Sequence, residues 1–110
     1  MKIDELSGLL EARCAQDSYE NREIAGAYTS DLLSDAMANA VEHGVLVTIQ
    51  AHKNTVAVGT LKDLAAIVVC NDRPIPDDMV ASARAEGIAL FVTPLSQYAV
   101  SGRLWGVLGE

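Results

Sequence analysis

The stretch Val45-Leu-Val-Thr-Ile-Gln50 is the first of three short apolar runs that decide the fold of this chain. The other two are Ala65-Ala-Ile-Val-Val-Cys70 and Ala89-Leu-Phe-Val-Thr-Pro94. Each run has the length and the apolar content of a buried strand, and each is followed by a helix-start signal. Strands that alternate with helices in this way predict parallel strands that are joined by helical crossovers.

Apolar periodicity and capping residues predict the helices. One helix is expected from Asp31 to about His43, with Thr29 and Ser30 as its caps and Gly44 as its stop. The other predicted helices cover residues 3–10, 54–64, 76–87 and 97–108, with Asn54 and Ser96 as caps of the second and the last. The inward residues of these two are expected to be Val56, Ala57, Thr60, Leu61 and Leu64, and then Tyr98, Ala99, Gly102, Trp105 and Leu108.

Two weaker strands are expected at residues 11–16 and 22–29, where they would extend the edge of the sheet. Right-handed crossovers make the last three strands a parallel core. The prediction is therefore an α/β fold: a single three-layer, Rossmann-like domain over residues 1–110 with a mainly parallel sheet.

Composition limits the partners. The formal net charge is −7, which argues against general binding to nucleic acid and against docking to anionic membranes. Cys14 and Cys70 form no Cys-x-x-Cys pair, so no iron–sulfur or zinc site is expected within one chain. A charged start and the lack of an apolar run of about 20 residues predict a cytoplasmic protein.

Polar side chains follow the predicted strands at their carboxyl ends, where parallel sheets bind ligands. Gln50, His52 and Asn54 follow the first run, and Arg73 lies in the loop after the second. These residues predict a site for a small polar ligand, with nucleotides among the candidates, because amides can read a base or ribose and a cation can hold phosphate. Ser30 and Asp31, at a helix start, join the candidate set.

Five of the six candidates also have an ordinary structural explanation. His52 could bond the backbone at a strand end instead of a ligand, and Asn54, Ser30 and Asp31 could simply cap helices. The charge of Arg73 could simply be solvated. These alternatives stay open on sequence alone.

No catalytic motif is complete. The chain has no Gly-x-x-x-x-Gly-Lys phosphate loop and no spaced glycines of a dinucleotide fingerprint, and Gly59 is expected to serve helix packing. His43 is expected to favour a helix carboxyl end through the dipole, and two histidines with scattered carboxylates predict no metal site. The prediction is a protein that is not an enzyme and that uses no cofactor.

The segment 22–37 followed by Val47-Thr-Ile-Gln-Ala-His-Lys-Asn54 resembles the DRTGG domain family, in its stand-alone branch. The residues that carry the resemblance are the helix start Ser30-Asp-Leu-Leu-Ser34 and the strand end Gln50-x-His52-x-Asn54. The motif that gives the family its name is incomplete, because Asn21-Arg-Glu-Ile-Ala-Gly26 keeps only an arginine and a glycine.

The resemblance implies a Rossmann-like regulatory domain that tends to dimerise. Such domains occur within regulated pyrophosphatases and phosphate acetyltransferases, resemble the non-catalytic amino-terminal domain of HPr kinase, and accompany hydrogenase and iron–sulfur proteins. The leading hypothesis is a homodimer that binds a small ligand and regulates a partner metabolic or redox enzyme. The alternatives are a pure protein–protein interaction module and, third, a phosphoryl-transfer enzyme.

Tyr28, Tyr98 and Trp105 are expected in the core or at a dimer contact, since aromatic side chains dominate buried area. The Ala-rich segment 25–27, if it forms an edge strand, would favour pairing with a second copy.

Overall fold

A five-stranded sheet forms the centre of the computed structural model, which describes residues 1–109. The strand order is β1-β5-β4-β3-β2. The strands are β1 (Arg13–Gln16), β2 (Ala27–Thr29), β3 (Val45–Thr48), β4 (Ala66–Val69) and β5 (Ala89–Val92).

The four strands β2, β3, β4 and β5 are parallel neighbours, and β1 is antiparallel to β5. The predicted parallel core is therefore confirmed. The two weaker strands do extend the sheet, but they lie at its opposite edges, one beside β5 and the other beside β3.

Five α-helices cover the two faces of the sheet. They are α1 (Leu6–Leu10), α2 (Leu33–Asn39), α3 (Lys53–Leu61), α4 (Asp77–Glu86) and α5 (Gln97–Leu108), and a short 3-10 turn (Ile3–Glu5) precedes α1. Helices α1 and α5 pack on one face, while α2, α3 and α4 pack on the other. The predicted three-layer α/β class is confirmed.

The core follows from the alternation of side chains along β3, β4 and β5, in which every residue is buried. Val45, Val47 and Phe91 point to the α1–α5 face, and Leu46 and Ile67 point to the opposite face. Strands that are buried on both faces have continuous apolar sequences, which explains why these three strands could be predicted from the sequence.

Helix α2 is shorter than predicted. It begins after Leu32, which has no side-chain capping bond, so the prediction that Ser30 caps it is wrong. The helix ends at Asn39, and Ala40 is already extended with ψ 146°. His43 therefore lies in a turn with φ +62° and does not sit at the end of the helix.

Helices α3 and α5 begin as expected but differ in detail. The cap of α3 is His52 and not Asn54, whereas Ser96 caps α5 as predicted, accepting from the Ala99 N–H at 3.2 Å. The buried residues of α3 are Thr55, Val56, Val58 and Gly59, so the expected inward residues Ala57, Thr60 and Leu61 are wrong. In α5 the core residues are Val100 and Leu104, and Tyr98 and Trp105 are 91% and 62% exposed.

Gly59 has the packing role that the sequence predicts. A Cβ at this position would lie 3.0 Å from Ile88 Cδ1. Within residues 1–109, no helix combines the length and the apolar character that crossing a bilayer requires.

Candidate ligand-binding rim

The loops that follow β2, β3, β4 and β5 lie at the same end of the sheet, because these strands are parallel. We call this carboxyl end of the strands the carboxyl rim; it consists of residues 30–31, 49–54, 70–73 and 93–96. All six candidate residues of the sequence lie on it: Ser30, Asp31, Gln50, His52, Asn54 and Arg73.

Asp31 forms hydrogen bonds that connect the loop after β2 with β3 and α5. Its Oδ1 accepts hydrogen bonds from the Thr48 hydroxyl at 3.1 Å, the Ile49 N–H at 2.9 Å and the Gln97 side-chain amide at 2.9 Å. The Gln50 amide donates to the Asp31 carbonyl at 3.0 Å. Asp31 therefore joins β3 and α5 to the loop after β2, and it is not a helix cap as one reading of the sequence had it.

Ser30 is engaged locally. Its hydroxyl accepts from the Leu32 N–H at 3.2 Å and lies 3.3 Å from the Leu32 carbonyl, to which it can donate. Such a turn satisfies the serine within its own loop. Of the candidate residues, Ser30 and Asp31 thus have bonds that hold the rim itself in shape.

His52 combines a structural role with an open nitrogen. Its Nδ1 accepts from the Asn54 N–H at 3.0 Å, which makes it the amino cap of α3. A neutral imidazole that accepts through Nδ1 carries its proton on Nε2, so His52 can donate a second bond outward. His52, Lys53 and Asn54 are all exposed, and they surround the positive end of the nine-residue helix α3.

Arg73 lies in a loop that the backbone holds in place. Asn71 and Asp72 have left-handed φ values of +59° and +51°, and their N–H groups donate to Leu95 O and Thr93 O at 3.0 and 2.8 Å. Arg73 is exposed, and within residues 1–109 its guanidinium forms no ion pair. It is therefore the cation of this loop that remains open to an anionic ligand.

Cys70 lies beneath the rim at the end of β4 but is chemically protected. The thiol is fully buried, and burial raises its pKa to about 11, with the negative charge of Asp31 adding to the effect. A thiol with this pKa is protonated at neutral pH and is a poor nucleophile. The rim therefore offers hydrogen bonding and charge, not thiolate chemistry.

The strand order gives the rim no topological switch point. Parallel sheets bind ligands most often where the strand order reverses, but β2 to β5 follow one another across the sheet without a reversal. A cavity of about 160 Å³ lies elsewhere, between β2 and α5. We call it the β2–α5 groove; it is lined by Ala27, Thr29, Ser101, Leu104, Trp105, Leu108 and Gly109.

Sequence reasoning missed two groups at the rim and the groove. Thr48 and Gln97 complete the contacts of Asp31, although Gln97 is separated from it by 66 positions in the chain. No local pattern indicates a contact over that distance. The exposure of Tyr98 and Trp105 could not be predicted either, because α5 has apolar residues at helical spacing on two different faces.

The fold and the rim define a three-layer, Rossmann-like α/β domain with polar loops at the carboxyl ends of the parallel strands. No family model matches the chain. Its fold is similar to a crystal structure of the CBS and DRTGG domains of the regulatory region of Clostridium perfringens pyrophosphatase, in complex with the activator diadenosine tetraphosphate. The TM-score is 0.74 at 10% identity, over 93% of this chain and 45% of that chain.

A sequence match points in the same direction. Over 43 residues, or 39% of this chain, the sequence is 44% identical to HPr kinase/phosphorylase of Streptococcus uberis. The chain covers only 14% of the length of that protein. The predicted resemblance to DRTGG-like domains is confirmed by these two similarities.

Proposed function

We propose that this chain is a cytoplasmic, non-catalytic regulatory domain that binds a nucleotide at the carboxyl rim and homodimerises. Its state would regulate a partner enzyme, either a metabolic enzyme or a hydrogenase or other iron–sulfur enzyme. The observation that carries the proposal is the meeting of His52, Asn54 and Arg73 at one rim, each with an exposed polar group.

Two exposed cations and one helix amino end favour an anionic ligand at the rim. The formal charges of the rim cancel, because Asp31 and Asp72 balance Lys53 and Arg73, but Asp31 is engaged in hydrogen bonds and Lys53 lies in the first turn of α3. Helix amino ends attract phosphate through their free N–H groups and their dipole. Asn54 adds an amide that can donate to and accept from a base or a ribose.

The similar pyrophosphatase region supports a nucleotide over other anions. That protein is complexed with diadenosine tetraphosphate, an activator that carries both bases and phosphates. Its description as a regulatory region also supports a non-catalytic role for this chain. The third hypothesis, a phosphoryl-transfer enzyme, has less support, because the match to HPr kinase/phosphorylase covers 14% of that protein and the sequence has no phosphate loop.

Isothermal titration with adenine and guanine nucleotides, including diadenosine tetraphosphate, tests the site. We expect saturable heat in the wild type and an affinity about tenfold lower in Arg73→Gln, because a hydrogen bond to a charged group contributes roughly 1.5–3 kcal/mol. His52→Ser removes the imidazole donor but keeps a side-chain oxygen that can cap α3. A loss of roughly two- to tenfold is expected from it.

Arg84→Gln is the matched control for charge. Arg84 is exposed in the last turn of α4, which leads into the opposite end of the sheet, so this variant should bind as the wild type does. No heat from any nucleotide at millimolar concentration would refute the nucleotide proposal. Equal losses in Arg84→Gln and Arg73→Gln would refute the placement at the rim.

Dimerisation is proposed along β2, the outer strand of the sheet. The Gly26 carbonyl and the Ser30 N–H both bond to β3, at 2.9 and 3.1 Å. Because backbone groups alternate along a strand, Ala27 and Thr29 direct theirs away from β3. An unpaired edge of this kind can pair with another strand.

The β2–α5 groove lies beside this edge and supports a dimer that uses both. Its volume of about 160 Å³ is below the roughly 300–1,000 Å³ of small-molecule pockets, and it suits a side chain better than a nucleotide. Trp105 lines the groove and is 62% exposed beside it. A two-fold dimer requires a projection and a hollow on the same patch, and Trp105 and the groove meet this requirement.

Sedimentation equilibrium tests the dimer. We expect twice the 11.7 kDa chain mass for the wild type and the single-chain mass for Trp105→Glu. Val107→Glu is the control, because Val107 is exposed on another side of the same helix and should leave the dimer intact. A wild type that sediments as a monomer at about 100 µM would refute the dimer, with 100 µM taken as the upper end of ordinary protein association.

The β2–α5 groove also favours the second candidate function, a pure protein–protein interaction module. In that case the partner binds without a nucleotide, and substituting Gln50 and His52 leaves its binding intact. Loss of partner capture in His52→Ser, with fold and dimer preserved, would instead favour the regulatory domain.

A further inference from the structure

A second cluster of polar side chains lies at the amino ends of the parallel strands, opposite the carboxyl rim. Glu42 and His43 belong to the turn before β3, and Asp63 belongs to the turn before β4. Their nearest ligand atoms all lie within 4.8 Å of one another. We call these three residues the amino-edge triad.

The triad converges on one nitrogen. His43 Nε2 is 2.8 Å from Asp63 Oδ2 and 3.3 Å from Glu42 Oε1. Two ligand atoms that each lie about 2.0–2.1 Å from Zn²⁺ stand about 2.8–3.4 Å apart at tetrahedral to octahedral angles. The distances from His43 Nε2 to the two carboxylate oxygens fall in this range, and the Glu42 and Asp63 oxygens lie within 4.8 Å of each other, so a small movement of the side chains would admit the ion.

Within the triad, a single imidazole nitrogen cannot donate to both carboxylates. One imidazole nitrogen carries at most one proton, but two carboxylate oxygens face it. Arg22 is the nearby cation, and its guanidinium is 3.5 Å from Asp63 Oδ1 while it also donates to the Leu64 carbonyl at 3.3 Å. A divalent cation among the three groups would satisfy both carboxylates at once.

We propose that Glu42, His43 and Asp63 bind a divalent cation of the Zn²⁺ class, with water in the remaining positions. One imidazole nitrogen and two carboxylate oxygens are ligand types that Zn²⁺ takes in proteins. The exposure of the side chains, 46% for His43 and 60–70% for the two acids, leaves room for water. The ion would connect the turns that precede β3 and β4, and so would stabilise the folded chain by mass action.

This inference revises the expectation that the chain has no metal site. The sequence places Asp63 20 positions after His43, without the short spacing of a ligand motif. The fold brings them together because β3 and β4 are parallel neighbours joined by α3, so the turn after α2 and the turn after α3 lie side by side. The His43 N–H also donates to the Asp63 carbonyl at 2.9 Å, which fixes the two turns to each other.

Titration of the metal-free chain with ZnCl₂ at constant pH tests the proposal by calorimetry and by melting temperature. We expect one Zn²⁺ per chain and a rise in melting temperature. His43→Gln and Asp63→Asn should each lower the affinity at least tenfold, and Glu42→Gln should lower it less, because Glu42 is the more distant ligand.

Three controls locate the ion. Cys14→Ser and Glu86→Gln should bind as the wild type does, which excludes the half-buried thiol and a general effect of negative charge. Arg22→Gln should bind Zn²⁺ more tightly, because it removes a positive charge beside Asp63. Absence of binding in the wild type, unchanged affinity in His43→Gln, or unchanged affinity in Arg22→Gln would overturn the proposal.

Discussion

The two ends of the central strands are held by different kinds of bonds. At the amino ends of β3 and β4 the contacts are mostly between backbone groups, and at the carboxyl ends they are mostly made by side chains. The difference teaches where the molecule can accept a large polar ligand, because the side chains of the carboxyl rim can exchange their partners, whereas at the amino end only the side chains of the small amino-edge triad can do so.

The amino end is fixed by close backbone contacts. The Ala65 N–H donates to the Gly44 carbonyl at 2.9 Å, and the Ala25 N–H donates to the His43 carbonyl at 3.0 Å. A Cβ on Gly44 would lie 2.8 Å from Val41 O and 2.9 Å from Gly26 O. Gly44 is therefore required for the close approach of three segments, and it does not end a helix as the sequence suggested.

The carboxyl end depends on one carboxylate. Asp31 Oδ1 accepts the bonds of Thr48, Ile49 and Gln97, and these bonds position the loop that leads to His52. The loop that carries Arg73 is held separately, by backbone bonds to Thr93 and Leu95. Asp31 is only half-buried, so water and ligands can reach the network. This end is therefore polar and adjustable, as the proposed ligand site requires.

The largest effect is expected from Gly44→Ala. The new Cβ meets backbone oxygens that cannot rotate away, so we expect the free energy of unfolding to fall by about 2–3 kcal/mol, the upper part of the range for overpacking. Urea denaturation measures it. Gly102→Ala is the control, because Gly102 has open space in α5 and the change should stabilise the chain by about 0.5–1 kcal/mol.

A Gly44→Ala variant as stable as the wild type would contradict the claim that close backbone contacts hold the amino ends of β3 and β4. It would mean that the turn relaxes without cost, and the backbone would then not be what holds this edge. The Gly102→Ala control separates this result from a general tolerance of alanine at glycine positions.

A somewhat smaller effect is expected from Asp31→Ala. The Ile49 N–H and the Gln97 amide lose a charged acceptor, so we expect a loss of about 2 kcal/mol, within the roughly 1.5–3 kcal/mol of a hydrogen bond to a charged group. Asp31→Asn should lose less, because its amide oxygen can still accept. Denaturation by urea again gives the free energies.

Asp17→Ala is the control for loss of an acidic residue. Asp17 is exposed in the loop after β1, where substitutions usually change stability by less than about 0.5 kcal/mol. Equal destabilisation by Asp17→Ala and Asp31→Ala would show that the Asp31 network does not hold the carboxyl rim.

The smallest effect concerns the thiols. Burial raises the pKa of Cys70 from 9.0 to about 11, and burial also raises the pKa of Cys14. We therefore expect alkylation at pH 8 to be slow for both, and slowest for Cys70, as mass spectrometry of native protein would show. Rapid labelling of Cys70 would contradict a closed layer beneath the rim.

The raised pKa of Cys70 also fixes the sign of a pH effect on stability. The folded state favours the neutral thiol, so its contribution is fully present below about pH 9.0 and is lost as the pH rises toward about 11. Cys70→Ala should flatten this part of the stability curve. An unchanged slope between pH 9 and 11 would contradict the assignment, since linkage requires the slope to follow the shifted group.

The sequence was sufficient for the parallel core because strands buried on both faces are apolar throughout. Val45–Thr48, Ala66–Val69 and Ala89–Val92 all lie within the predicted runs, and their parallel order brings the predicted site residues to one rim. Capping by Ser96 was also predictable, since a serine before an apolar helix is a local signal.

The features that the sequence did not predict depend on contacts between residues that are far apart in the chain. The residues around Asp31 predict a helix cap. In the fold, however, the Ile49 N–H and the Gln97 side-chain amide donate to its carboxylate at the carboxyl rim. His52 caps α3 in place of Asn54, a difference of two positions within the usual uncertainty of helix ends. The bounds of α5 were predicted correctly, but its inward face was not, because Trp105 and Leu104 are both apolar and only packing selects the one that is buried.

The most direct test of the carboxyl rim is a nucleotide titration followed by ¹H–¹⁵N NMR on the 110-residue chain. With diadenosine tetraphosphate we predict saturable amide shifts concentrated at residues 50–54 and 71–73, with little change at His43, Asp63 or Trp105. Shifts that cluster along the β2–α5 groove or at the amino-edge triad, or no shifts at all, would contradict the account.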